Sequence, residues 1–104
     1  MHLLEKFDTN DLLPHLLDAA KSGEPGSRMW AALMLGRNRD RKAVSVLVKL
    51  LEDPKEDVRA NAILSLSMLG DPSTRKAIEQ LQQDSSEEVR DAVDSALSAF
   101  PEED

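Results

Sequence analysis

Apolar residues recur along this chain in two alternating patterns of helical period. One stripe runs Val58, Ala62, Leu66 and Leu69, the i, i+4, i+8, i+11 positions of one helix face. It stops at Gly70-Asp71-Pro72, where glycine suits a left-handed helix end and aspartate the start of the next helix. A denser stripe runs Ala43, Val44, Leu47, Val48 and Leu51 and stops at Asp53-Pro54, because proline does not continue a helix interior. The pair predicts a helical hairpin. Helices are expected over about 1–7, 10–22, 26–38, 41–52, 56–69, 72–83 and 86–100, with Gly23 to Gly26 as a connector and Pro101 as the final stop.

The hairpin repeats at an offset of 31 residues (53 to 84). Asp53 to Arg59 reads DPKEDVR, and Asp84 to Arg90 reads DSSEEVR. In the same register Ser22 aligns with both aspartates, and Arg28 with Arg59 and Arg90. Leu16, Leu47 and Ile78 form one apolar column, Ala31, Ala62 and Val93 a second, and Leu35, Leu66 and Leu97 a third. A gapless period of this size marks an α-solenoid, in which each unit buries its apolar face only against its neighbours. The expected organisation is one repeat domain over 1–104 with units of about 1–22, 23–53, 54–84 and 85–104. Towards the C-terminus apolar columns turn polar: Met29 and Ala60 become Asp91, Ala32 and Ile63 become Asp94, and Leu33 and Leu64 become Ser95. The last unit is therefore expected to be a capping helix whose outer face meets water, and Leu3, Leu4 and Phe7 a half-length helix over the open N-terminal end.

These motifs resemble HEAT repeats, most closely the short bacterial and archaeal type also found in the phycocyanobilin lyase-like group. Ala43-Val44, Leu47 and Asp53 carry the first half of the family pattern. Val58-Arg59, Ala62, Leu66 and Leu69-Gly70 carry the second, and Leu13-Pro14-His15-Leu16 repeats the opening piece. Ser22 and Ser27 depart from the Asp and Val of the pattern, and Phe100-Pro101 from its closing Gly. The resemblance implies an all-α, right-handed α–α superhelix of about three and a half hairpins. It also implies that Arg28, Asp53, Arg59, Asp84 and Arg90 are structural. Each Asp would accept N–H bonds from its own turn, and each Arg would reach the Asp of a neighbouring unit in a ladder of charge-assisted bonds.

Composition narrows the function more by exclusion than by assignment. With 40% hydrophobic and 32% charged residues a packed core is expected, and it must be aliphatic because Phe7, Trp30 and Phe100 are the only aromatics. No cysteine is present, which removes disulfides, thiolate metal sites and a Cys nucleophile. The net charge of −7 opposes phosphate backbones, so nucleic-acid binding is not expected. No apolar run reaches membrane-spanning length and the N-terminus lacks the pattern of a secretory signal, so no membrane contact and a cytoplasmic location are expected.

No catalytic constellation stands out. His15 and Asp18 lie at i, i+3 on a helix, but a metal needs three or four ligands, and no second His–carboxylate cluster accompanies them. The serines sit outside any Gly-x-Ser-x-Gly elbow, and no glycine-rich phosphate loop occurs. No cofactor and no metal are expected. Two surfaces are left as binding candidates. The second helices of the hairpins should present a mixed-charge concave strip that includes His15, Asp18, Lys42, Lys49, Lys76 and Gln80. On the first helices, Leu33 and Leu64 occupy an outward angle, with Met29, Trp30 and Met68 beside them. Either these five form an apolar convex patch, of the adaptable kind methionine favours, or tilted neighbours bury them. The reading that follows is a non-enzymatic protein–protein interaction module, a scaffold or adaptor for another protein or peptide, monomeric or weakly self-associating. Its rivals are a lyase-associated role that handles a tetrapyrrole prosthetic group and, further off, a nucleic-acid-binding HEAT domain.

Overall fold

Glycine, proline and aspartate punctuate the chain into alternating long and short helices. A computed structural model describes residues 9–100 of the 104, with side chains from Leu12 onward. The helices are α1 (Thr9–Ala20), α2 (Pro25–Asn38), α3 (Val44–Leu50), α4 (Glu56–Leu69), α5 (Arg75–Glu79) and α6 (Glu87–Ala99). The helix expected over about 1–7 and the stop at Pro101 lie outside the described residues.

The helices expected over 41–52 and 72–83 take a different form. Each is a 3-10 turn, a short α-helix and a closing turn. The cause is local. Asp40 Oδ1 accepts from Lys42 N at 2.8 Å and Asp71 Oδ1 from Ser73 N at 2.9 Å, which holds the first turns tight. At the far end of α3, Glu52 N bonds Lys49 O and Asp53 N bonds Leu50 O, both i to i−3. These bonds tighten the coil and turn the chain towards the next long helix.

The long helices α2, α4 and α6 pack side by side, with α4 in the middle. Each short helix packs on the long helix that follows it: α1 on α2, α3 on α4, α5 on α6. Boundaries drawn at 23, 54 and 85 fall in the loops inside these hairpins; the period is the same in either phase. Between the two layers lies the core. Leu16, Leu47 and Ile78 from the short helices meet Ala31, Ala62 and Val93, with Leu35 and Leu66, from the long ones, and all are essentially inaccessible to solvent. A five-residue helix has no stability of its own. Burial of Ile78 is what fixes α5, a contribution of about 2–3 kcal/mol.

Two backbone features set the stacking. Gly36 lets α2 approach α4 closely: a Cβ built there would stand 2.7 Å from Ser65 Cα. The buried Ser65 hydroxyl donates to the Ala32 carbonyl across the same contact. The ends of α2 and α4 both turn left-handed, at φ 61° for Arg39 and φ 68° for Gly70. Arg39 thus occupies, one period earlier, the conformation that glycine takes at no steric cost. Along α6, Asp91 and Asp94 are exposed where their counterparts Ala60 and Ile63 on α4 are buried, whereas Ser95 and its counterpart Leu64 are both exposed.

Candidate functional site

The recurring loops hold the residue types most often used in chemistry. Arg28 donates through Nε to Asp53 Oδ2 at 2.6 Å and through Nη2 to Oδ1 at 3.2 Å. Arg59 grips Asp84 in the same two-pronged way, at 3.0 Å for both bonds. The third guanidinium nitrogen turns back to the preceding loop. Arg28 Nη1 donates to the Ser22 carbonyl at 2.9 Å, Arg59 Nη1 to Asp53 O at 2.8 Å, and Arg90 Nη1 to Asp84 O. Asp53 and Asp84 each also accept one N–H from their own turn, from Lys55 and Ser86, both at 2.9 Å. The residues six apart in sequence therefore meet through a backbone carbonyl, whereas the carboxylate partner lies 25 residues away in the next loop. Arg28 and Arg59 tie three successive loops together.

The electrostatics match that geometry. Burial pushes the Asp84 carboxyl up. The Ser86 N–H, the Arg59 bonds and the charges of Arg59 and Arg90 outweigh it and hold the group below its ordinary value. Both oxygens of each carboxylate accept from fixed donors, an arrangement suited to holding loops rather than to exchanging protons with a substrate.

The residues expected on the concave strip, His15, Asp18, Lys42, Lys49, Lys76 and Gln80, are all exposed along the short-helix layer. Lys76 lines a cavity of about 310 Å³ with Pro72, Ser73, Arg75 and Glu79, and Gln80 lines a smaller one of about 120 Å³ between α3 and α5. His15 and Asp18 join no group of three His, Asp or Glu side chains that converges on a metal site, and none exists among the described residues. No helix there is long and apolar enough to cross a membrane.

The opposite layer has a different character. Among the described residues the exposed large apolar side chains are Met29, Trp30, Leu33, Leu64 and Met68, each 36–47% accessible. All five lie on α2 and α4, which are in contact. Leu33 and Leu64 are one period apart, so they share a position on parallel neighbouring helices, and Met29 and Met68 extend the stripe along one helix each. These residues are not left over from an incomplete core, since the inward columns of α2 and α4 are fully buried.

The N-terminal end of this face is acidic. Asp57 precedes Leu64 by two turns on α4, and a cavity of about 300 Å³ joins it to Met29, Pro25, Gly26, Val58 and Lys55. Glu88 opens α6 in the matching position. Loss of some surrounding water raises its carboxyl first, and the neighbouring Asp57 and Glu56 carboxylates raise it further. No single helix pattern reveals this grouping. Asp57 and Glu88 each look like ordinary first-turn acids favoured by the helix dipole, and only the 31-residue register places them side by side.

Two comparisons with known proteins bear on these observations. Residues 4–98 match the family model for HEAT repeats. That match does not single out the phycocyanobilin lyase-like group. No curated protein matches the chain.

Proposed function

Because the chain belongs to the HEAT-repeat family, whose repeats generally serve as protein-interaction scaffolds, we propose that it is a non-enzymatic adaptor that binds another protein through the outer face of α2 and α4. One observation carries this reading: the five large exposed apolar side chains gather on two adjacent helices instead of scattering over the surface. Leucines and methionines left a third or more in water forgo about that share of the burial free energy they would have in a core, on the order of 0.5–1 kcal/mol each. A contiguous patch of this kind, beside a complete core, marks an interaction surface.

Affinity capture from the native cells, read by quantitative mass spectrometry, tests the proposal. The parent is compared with L33E/L64E and with K49E/K76E, which changes the short-helix strip instead. Loss of a protein partner in the first variant alone supports the reading. Retention in the first with loss in the second moves the interface to the strip of Lys49 and Lys76.

A further inference from the structure

We infer that the occupant of this face is a basic amphipathic segment, a partner helix whose apolar stripe lies on Leu33, Leu64 and Met68 and whose Lys or Arg side chains reach Asp57 and Glu88. This deepens the adaptor reading and rests on it. The face is polarised. Its apolar centre runs out, at the N-terminal ends of α4 and α6, into Asp57, Glu56 and Glu88, all exposed. Asp57 and Glu88 hold the same register position at the starts of α4 and α6, two neighbouring helices, so two like charges stand side by side. Glu56 accepts from the Ser86 hydroxyl at 2.6 Å, so it is fixed beside them. The ion pairs among the described residues are Arg28–Asp53, Arg59–Asp84 and Arg75–Glu79, none of which involves these three acids.

The helix dipoles favour one acid at each N-terminus, but they do not call for three acids clustered at the starts of two neighbouring helices. A cation delivered from outside relieves that repulsion. The groove between the starts of α2 and α4 has the shape to receive it. Its wall of Met29 and Pro25 suits the aliphatic stem of a Lys or Arg, and Asp57 stands where the charged head emerges. Lys55 also lines this groove, and Arg37 is the cation on the far end of the α2 face. A basic segment would therefore lie in one direction only, with its charged end towards Asp57 and Glu88. A second copy of the chain fits poorly, because it would bring a net charge of −7 and the same acidic rim against this one. A bound metal fits poorly as well, since the acids do not converge as a cage.

Trp30 is the sole tryptophan and sits 47% exposed on this face, which makes it the reporter. The probes are three synthetic helical peptides of equal length: one with a Leu stripe flanked by Lys, one with the same stripe flanked by Glu, and one with Ser in place of Leu and Lys retained. Expected is a saturable blue shift of Trp30 emission with the Leu/Lys peptide, at least tenfold weaker binding of the other two, and weakening by added salt. D57N/E88Q should weaken the Leu/Lys peptide about tenfold. D18N/E52Q, which removes the same charge from the other layer, should leave it unchanged.

Equal binding of the Leu/Lys and Leu/Glu peptides, both lost in L33E/L64E, overturns the basic partner and leaves the apolar interface standing. Equal effects of the two charge-removing variants reduce the preference to net charge and overturn it too. A concentration-dependent Trp30 shift and dimer mass without peptide identify a second copy instead. If no peptide binds and L33E/L64E retains its native partners, the adaptor reading of this face falls as well.

Discussion

Asp84→Ala removes the carboxylate that receives two guanidinium bonds from Arg59 at 3.0 Å and the N–H of Ser86 at 2.9 Å. The Asp84 and Arg59 side chains are 9% and 15% accessible, so water only partly replaces the lost partner. Bonds to a charged group contribute about 1.5–3 kcal/mol, and the Ser86 bond about 1. Because Arg59 keeps its bond to Asp53 O and some access to solvent, the net loss is about 2–3 kcal/mol. For a chain of this size that corresponds to a fall in Tm of roughly 10–15 °C. Urea and thermal unfolding followed by helical circular dichroism would measure it. A double-mutant cycle with Arg59→Ala isolates the pair, with an expected coupling of about 1–2 kcal/mol. A stability within about 0.5 kcal/mol of the parent, or strict additivity with Arg59→Ala, would refute the claim that the ladder holds the loops together.

Further outcomes follow from particular residues. Gly36→Ala should destabilise by about 1–3 kcal/mol, the opposite of the usual helical Gly-to-Ala gain, because its Cβ would meet Ser65 Cα; chemical denaturation shows the sign. Arg39→Gly should stabilise by about 1 kcal/mol through relief of the left-handed φ, a rise in Tm visible by calorimetry. Asp84→Asn should show a stability deficit that is full above about pH 5 and disappears as pH falls through the depressed folded pKa, because the parent loses the charge there; acid titration of Tm for both proteins checks it. Glu88 has its folded pKa raised, so its charge opposes folding at neutral pH, and Glu88→Gln should raise Tm at pH 7 and leave it unchanged near pH 3, where the parent is protonated too.

Much of the fold was readable from periodicity, because a solenoid writes each contact once per unit. Leu16, Leu47 and Ile78 share a column and share complete burial. The long helices run within about a residue of their predicted bounds, since Gly70 and the loop aspartates punctuate them strongly. The outward direction of Leu33 and Leu64 was likewise legible from helical angle. The short helices were read too long. Their apolar spacing fits a continuous helix, and the tightening comes from caps at Asp40 and Asp71 that act through geometry. Arg39 hides its left-handed backbone because it is not a glycine. The approach of Gly36 to Ser65, and of Glu88 to Asp57, depends on how neighbouring helices cross, which no single helix pattern contains.

In the proposed function the outer face of α2 and α4 binds a partner, while the loops and core only hold it in place. The most direct test is to record, on one L33E/L64E preparation, both its Tm and its captured partners. Expected are a helical spectrum and a cooperative thermal transition, since both leucines lie outside the fully buried core, together with loss of the partner that the parent retains. A variant that folds as the parent does and keeps that partner would contradict it.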